Sequence, residues 1–308
     1  GFSPENDRAL AEAIRQGAPV VIPEKFELRS GESYQQLSLV EPEEIYRGTG
    51  ARRGYVNLLE DPDGRVRRLL LSQEHNGTTH YPFSLQLLAA GTKVSTEDAL
   101  KKIESSYGRT FIVPYSGPEG TLTRVPIGRV LAGTTDLAIF NGGYVLIGAT
   151  FKEAHDNAPT PFYSGTPMSG VEIHGQALEA MMTGRSLKAT SPTTNLLLLL
   201  LLSLVLTLFL HQHGPGRGAI LLALFLAGLL SAGAILFNRG VVLRLVTPMS
   251  ALMIIYLGSL LFYYLFEKRR SEYVRSLFSR YVSPEMVGQI LADPVHLALG
   301  GEISEVPL

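Results

Sequence analysis

Three long apolar runs dominate the C-terminal part of the 308-residue chain. They extend over Asn195–Leu210, Ala219–Phe237 and Leu245–Phe266, and the second contains no charged residue. A helix needs about 20 apolar residues to cross the hydrocarbon core of a bilayer. The pattern therefore predicts three transmembrane helices within residues 193–266, at about 193–211, 219–237 and 245–266. Three crossings place the two ends of the chain on opposite sides of the membrane.

Basic residues close to the apolar runs predict the orientation, because cytoplasmic segments are enriched in Lys and Arg. One side carries Arg217, Lys268, Arg269, Arg270, Arg275 and Arg280. The other side carries Arg185, Lys188, Arg239 and Arg244. The cluster that follows Phe266 decides the assignment. We expect a multi-pass protein of the plasma (inner) membrane, with residues 1–188 extracytoplasmic and the C-terminus cytoplasmic.

Shorter apolar patterns in residues 1–188 predict a mixed α/β domain. Residues 27–50 are polar and rich in turn residues, which predicts a loop. Helices are predicted at 4–16, 82–90 (ended by Gly91), 125–131 and 170–184, and strands at 18–23, 54–60, 65–73, 110–114 and 143–150. The apolar sequence of 143–150 predicts the strongest strand of the domain. The helix at 170–184 has an apolar face formed by Ile173, Ala177, Ala180 and Met181.

Composition and charge limit the possible functions. The chain has no cysteine, which excludes disulfides and metal–thiolate sites, and its net charge of −1 argues against a nucleic-acid partner. No ionisable residue lies deep within an apolar run, which argues against a transporter. A sensor or binding domain anchored in the membrane is consistent with all three observations.

The stretches GGYVLIGATFKEAHDNAPTPF (142–162) and MSGVEIHGQALEAMMTG (168–184) resemble the end of a CHASE-type extracellular sensory domain of the second class. Asp61-Pro62-Asp63-Gly64, followed by Arg65, Arg67 and Arg68, fits a hairpin of the same family. Ser169 stands where that family usually has proline. The resemblance implies an α/β sensor over residues 1–188, ahead of three membrane helices. The family's first helix and strand have no counterpart here, so we expect Gly1 to fall inside the domain.

Apolar residues at helical spacing follow the last apolar run and form what we call the relay stripe. Its members are Tyr273, Val274, Leu277, Phe278, Tyr281 and Val282. The stripe predicts a helix that continues from the membrane and pairs with its copy in a homodimer. The alternative is a helix that lies on the lipid surface. Residues 267–308 are thus predicted to form a cytoplasmic helical linker.

The segment Phe278–Val306, FSRYVSPEMVGQILADPVHLALGGEISEV, resembles the junction that precedes the catalytic domain of class III adenylate/guanylate cyclases. The resemblance implies a receptor cyclase. The metal-binding carboxylates of that family come after the junction, so we expect no catalytic residue, cofactor or metal in this chain. The cyclase domain itself would be expected to need Mg or Mn. Alternatives are a histidine kinase or diguanylate cyclase output, or a membrane-anchored binding protein.

The candidate ligand site is His155-Asp156-Asn157, which directly follows the predicted strand at 143–150. Loops at the carboxyl ends of strands often hold ligands in α/β domains. Asp and Asn side chains also commonly satisfy their own loop, which is the competing interpretation. His174, on the apolar helix at 170–184, is interpreted as a structural histidine rather than a ligand-binding one. The sequence therefore predicts an unidentified extracytoplasmic ligand and the lipid bilayer as partners.

Overall fold

The computed structural model describes residues 3–30, 35–107, 109–151, 154, 156–163 and 165–278, with the backbone alone for 29–30, 35–36, 104–107 and 267–278. The chain forms two compact units. The first comprises Gly1–Ala189 together with Phe237–Val242, and the second Thr190–Leu236 with Leu243–Leu308. The first unit has the mixed α/β content expected from the sequence.

The first sheet shows that residues 27–50 are not a loop. Helix α1 (Pro4–Gln16) is followed by β1 (Val21–Ser30), β2 (Gln35–Val40), the short helix α2 (Glu44–Arg47) and β3 (Arg52–Tyr55). The strand order is β2-β1-β3, with β2 antiparallel and β3 parallel to β1. Pro23 lies inside β1 without breaking it, because the carbonyls of Val20 and Glu24 on either side accept from Arg52 N in β3 and from Val56 N just after it.

The second sheet contains the predicted hairpin. It is built from β4 (Leu59–Glu60), β5 (Val66–Leu70) and β8 (Thr110–Ile112), in the order β4-β5-β8. Gly64 closes the turn between β4 and β5 with a φ of 73°, a conformation that glycine adopts without strain. Arg67 pairs with Asp61 and Asp63 across this turn, and its hydrogen bond lowers the pKa of Asp63 to about 2. A further hairpin, β6 (Gln73–His75) and β7 (Thr78–His80), was not predicted.

Four helices complete the first unit: α3 (Phe83–Thr92), α4 (Thr96–Tyr107), α5 (Ile127–Leu131) and α6 (Gly170–Thr183). The main core lies between α3, α4, α6 and the second sheet, and its fully buried members include Leu69, Leu85, Phe111, Ala177 and Ala180. The predicted inner face of α6 is confirmed, since Ile173, Ala177, Ala180 and Met181 are all buried. A short pair, β9 (Asn157–Ala158) with β10 (Met168–Ser169), precedes α6.

Gly91 does not end α3 as predicted. The helix continues to Thr92, and Lys93 takes the left-handed position with a φ of 56°. A Cβ atom at Gly91 would lie only 2.0 Å from the hydroxyl of Tyr144. The glycine is therefore required because Tyr144 packs against the helix, and not because the helix stops.

The predicted strand at 143–150 is also wrong, since residues 144–150 belong to no strand. Their exposure alternates as it would in a strand: Tyr144 and Leu146 pack towards Val21 and Leu178, while Ile147 is 83% exposed. The alternation of apolar residues in the sequence therefore reflects packing on one side of the segment. A strand also needs a hydrogen-bonded neighbour, which the pattern cannot reveal.

The second unit consists of long apolar helices. Helix α7 (Pro192–Asn238) contains a break at Gly214, whose φ of 73° and ψ of 172° are not helical, and Pro215 follows it. Helix α8 spans Val246–Phe278. Both Pro192–Asn238 and Val246–Phe266 are long and apolar enough to cross a membrane. Their large apolar side chains are widely exposed, for example Ile220 at 65% and Ile254 at 69%.

The break at Gly214 turns α7 back on itself. The strands β11 (Lys188–Ala189) and β12 (Val241–Val242), which flank α7, pair with each other, and Lys188 N donates to Gly240 O at 2.7 Å. A straight helix of this length would separate them by about 70 Å. The two arms pack together and against α8 through a cluster of leucines: Leu206, Leu210, Leu222, Leu229 and Leu252.

Candidate functional site

A polar cavity of about 470 Å³ lies in the first unit, beside the edge of the first sheet. Five segments form its wall: β1, the start of β3, β7 with Tyr81, α3 through Gln86, and the first turn of α4. Its charged and aromatic lining residues are Glu24, Arg52, Arg53, His80, Tyr81 and Glu97. The remaining polar lining comes from Thr78, Thr79, Gln86, Ser95 and Thr96.

Glu24 is a buried carboxylate that is only half satisfied. It is 3% exposed, and its Oε1 lies 2.8 Å from Nδ1 of His80. With Glu24 ionised, Nδ1 must donate the proton, because a carboxylate can only accept. Oε2 is also buried and has no hydrogen-bond partner among the described residues. Such an unpaired buried acceptor is uncommon and is a site that an added donor would stabilise.

The backbone of β1 fixes the position of this carboxylate. The Asn57 side chain accepts from Phe26 N at 2.7 Å and donates to Phe26 O at 2.7 Å, which ties β1 to the segment after β3. The Phe26 ring then packs edge-on against the His80 ring, with 5.5 Å between centroids. The Asn57 hydrogen bonds to the β1 backbone and the contact of the Phe26 ring with His80 therefore fix the positions of Glu24 and His80.

Arg52 supplies the positive charge of the cavity. Its guanidinium donates to Thr96 Oγ1 at 3.1 Å and to Val94 O at 3.1 Å, both neutral acceptors. Within the described part of the chain, no carboxylate lies at ion-pair distance from Arg52, whereas the neighbouring Arg53 pairs with Glu41 at 2.5 Å. Arginine has five N–H donors, so Arg52 retains donors for an anionic group.

The first turn of α4 contributes polar groups to the same wall. Ser95 caps the helix by accepting from Asp98 N at 3.0 Å. Thr96 donates to Gln86 Oε1 at 2.8 Å, which fixes the hydroxyl that Arg52 contacts. The described residues contain no group of three or more His, Asp or Glu side chains that could hold a metal ion. This wall therefore offers hydroxyl and amide groups for hydrogen bonding.

The predicted ligand loop does not belong to this cavity. His155 lies outside the described residues. Asp156 accepts from Gly170 N at 2.8 Å through its backbone carbonyl, and a Cβ at Gly170 would lie 2.4 Å from the Asp156 carboxylate. Asn157 pairs with Ser169 in the β9–β10 ladder. Asp156 and Asn157 thus pack against the start of α6, and whether the loop binds a ligand stays a prediction.

His174 lies in the interior of α6. Its Nε2 donates to Val56 O at 3.3 Å, and Nδ1 is buried without a partner among the described residues. Burial lowers the pKa of His174, although the Val56 carbonyl and the charge of Asp156 oppose the shift. The side chain is therefore neutral and packed against Phe83, as a structural histidine would be.

Glu172, two residues earlier on α6, anchors the loop at 117–124. Its carboxylate accepts from Gly120 N at 3.0 Å and from Leu122 N at 3.3 Å, and it pairs with Arg124, which also holds Glu119. Burial opposes ionisation of Glu172, but these donors outweigh it and lower the pKa. The network is fully paired and so has a structural role.

The sequence contained no clear signal for the cavity, because Glu24 follows the apolar run and is adjacent to Lys25, as a glutamate at an exposed strand end would be. Only the structure shows that this carboxylate is buried and paired. The partner could not be identified, because His80 lies in a hairpin that the pattern did not predict. Arg52 was missed for a similar reason, since it lies between the loop predicted at 27–50 and the strand predicted from residue 54.

Comparison with known proteins agrees with the sensory resemblance. A family model described as the CHASE2 domain matches residues 2–209. No curated protein matches the chain, and no solved structure matches it. The matched range covers the α/β unit and continues into the first arm of α7.

Proposed function

Because the chain belongs to the CHASE2 domain family, an extracellular sensory module of signalling receptors, we propose that it is the sensory and membrane-anchoring part of a transmembrane receptor cyclase. One observation carries this proposal: the family match runs from the α/β unit directly into an apolar helix. The sensor and its membrane anchor are thus continuous in the chain.

We propose three crossings, formed by the two arms of α7 and by α8. Each arm extends about 33–36 Å and Val246–Phe266 about 32 Å at 1.5 Å per residue, which suits a hydrocarbon core of about 30 Å. The pairing of β11 with β12 supports an even number of crossings between them, because it holds both strands on one side. The exposed apolar side chains of both helices are those that lipid would cover.

The proposed orientation places the first unit outside and the relay stripe in the cytoplasm. Lys268, Arg269 and Arg270 follow the last apolar run and favour the cytoplasmic side. The proposed output is an adenylate/guanylate cyclase domain that acts as a homodimer. Support for this output is the pattern of Phe278–Val306, most of which lies beyond the described residues.

Reporter fusions test this proposal. A reporter that is active only in the cytoplasm should be active when fused after Gly214 or Phe278. It should be inactive when fused after Leu187 or Gly240. Activity after Leu187 together with inactivity after Phe278 would reverse the topology and overturn the sensory function. Activity after Gly240 would show that α7 crosses the membrane only once.

A further inference from the structure

We propose that the extended segment 144–150 is an edge strand, and that it pairs antiparallel with the same segment of a second copy of this chain. This pairing rests on the proposed function, since it joins the extracytoplasmic units of the proposed receptor homodimer. Three features of the segment support it: its fixed extended shape, its unpaired backbone groups and its uncharged composition.

The segment is held in an extended shape by packing on one of its faces. Tyr144 and Leu146 pack on a cluster that includes Leu178 of α6. A Cβ at Gly148 would lie 2.7 Å from the Cβ of Val171, so the backbone also passes close to α6 there. Alternate residues therefore face the core, as in a strand. The backbone does not have to be ordered when a partner strand binds.

The backbone groups of the segment have no partners. Within the described part of the chain, residues 144–150 make no backbone hydrogen bond and belong to no strand ladder. All seven residues are exposed or half-buried, so another chain can reach them. A row of unpaired N–H and C=O groups along an extended edge is a template for a further strand.

The composition of the segment favours its own copy as that strand. Residues 137–151 contain no charged residue and no proline, although natural edge strands are usually protected by such residues. A two-fold contact brings residues near the axis against their own copies. Like charges that face each other across two strands destabilise the pair, and this segment carries none.

The surrounding chain supplies apolar surface for the same contact. None of residues 121–151 is buried. Val145 and Ile147, on the face turned away from α6, are at least half exposed, and so are five large apolar side chains outside the segment: Ile127, Leu131, Leu137, Ile139 and Phe151. Together these side chains expose roughly 800–1,000 Å², about what each partner buries in a standard-size interface. A short peptide strand would cover only part of this area, whereas a second copy brings an equal apolar set.

Cysteine crosslinking of full-length chains in lipid nanodiscs tests the pairing. The chain has no native cysteine, so cysteines at positions 145, 147 and 149 report on this contact alone. Antiparallel pairing about a two-fold axis requires crosslinks only between positions whose numbers add to one constant sum. Crosslinks at a constant difference would indicate parallel strands and overturn the proposal, as would the absence of crosslinks.

Hydrogen exchange provides an independent measurement. Alternate amides of 144–150 should exchange at least about 10-fold more slowly in nanodiscs that hold two chains than in nanodiscs that hold one, because pairing protects them. Equal protection in both would show that a segment of the same chain covers the edge. Equal lack of protection would show that nothing covers it. Either result would overturn the proposal.

A charge on the segment provides the matching protein test. Ile147→Lys places two positive charges across the paired strands and should reduce the protection in two-chain nanodiscs several-fold. Leu59→Lys is the control, since Leu59 is an exposed apolar residue of β4 outside this stretch. Equal effects of the two variants would show that the loss does not come from strand pairing.

Failure of this pairing differs from failure of the proposed function. If 144–150 behaves alike in both kinds of nanodisc while the reporter fusions keep their expected pattern, the strand pairing is wrong and the receptor topology stands. Reversed reporter fusions would instead overturn the sensory function, whatever this segment contacts.

Discussion

At the residue scale, Glu172 makes a testable contribution to stability. The carboxylate is about 4% exposed and holds two backbone amides and Arg124. Glu172→Gln removes the charge and turns an amide group towards these donors. Because Arg124 is partly exposed, the loss is set mainly by the charge-assisted hydrogen bonds to the buried carboxylate and should be about 1.5–3 kcal/mol of unfolding free energy. Urea unfolding of the full chain in micelles would measure the loss.

Glu179→Gln is the matched control on the same helix. Glu179 pairs with Arg185 at 3.2 Å, and its side chain is 40% exposed. An exposed pair contributes about 0–1 kcal/mol. Equal losses for the two variants would show that the Glu172 network contributes no more than a surface ion pair.

His174 predicts how stability depends on pH. Burial holds its pKa in the folded state below the ordinary 6.5, so the folded chain keeps it neutral. As the pH falls below 6.5, the unfolded chain takes up a proton that the folded chain does not. The contribution of neutral His174 to the unfolding free energy should therefore be fully present above pH 6.5. It should decrease as the pH falls from 6.5 towards the lowered pKa of the folded state.

Thermal unfolding at about pH 7.5 and about pH 5.5 checks this window. His174→Gln keeps a donor for the Val56 carbonyl but cannot be protonated. The fall in melting temperature between the two pH values should be smaller in this variant than in the parent. An unchanged fall would show that another group causes the pH dependence.

At the scale of elements, helices were predicted best. The four residues predicted for the inner face of α6 are all buried, but so are Glu172, His174, Gln176 and Leu178, so the helix is enclosed on more than the one face that its period indicated. The bounds predicted for α1 are correct, and within it Ala11 is buried while Leu10 is 53% exposed.

Predictions of strands were wrong more often than predictions of helices. β2 lies in the segment interpreted as loop, although Leu37 and Leu39 alternate with polar residues there, and 143–150 has the strand pattern without a paired neighbour.

The relay stripe gives the prediction at this scale. The backbone of α8 is helical through Phe278, so Tyr273, Val274, Leu277 and Phe278 share the helical spacing on which the stripe depends. The side chains beyond Phe266 and the whole of Tyr281 and Val282 lie outside the described part. If the stripe pairs two chains, Leu277→Asp should disrupt the dimer, since losing a buried large side chain costs about 2–5 kcal/mol.

Crosslinking of full-length chains measures the pairing directly. The chain has no native cysteine, so single cysteines at positions 270–282 report only on the chosen site. Crosslinking between chains should recur every three to four residues, and Arg275→Asp should leave it intact. Uniform or absent crosslinking would favour the alternative, a helix lying on lipid.

At the scale of the whole molecule, the cavity could not be predicted from sequence patterns. Glu24, Arg52, His80 and Thr96 lie on four separate segments, and only the sheet order and the hairpin bring them together. Local periodicity describes which face of an element is buried. It does not describe which elements become neighbours, and the polar residues of a ligand site have no period of their own. The apolar helices, in contrast, were visible because their composition alone is unusual.

The pairing of β11 with β12 also has a mechanical consequence. The first unit connects to α7 and to α8 through two separate peptide segments, and hydrogen bonds such as Lys188 N to Gly240 O tie these segments to each other. The segments that lead into the two helices are therefore held side by side while this ladder is closed. A displacement of Lys188 is then passed to Val241 directly through the ladder, without a route along the 47 residues of α7.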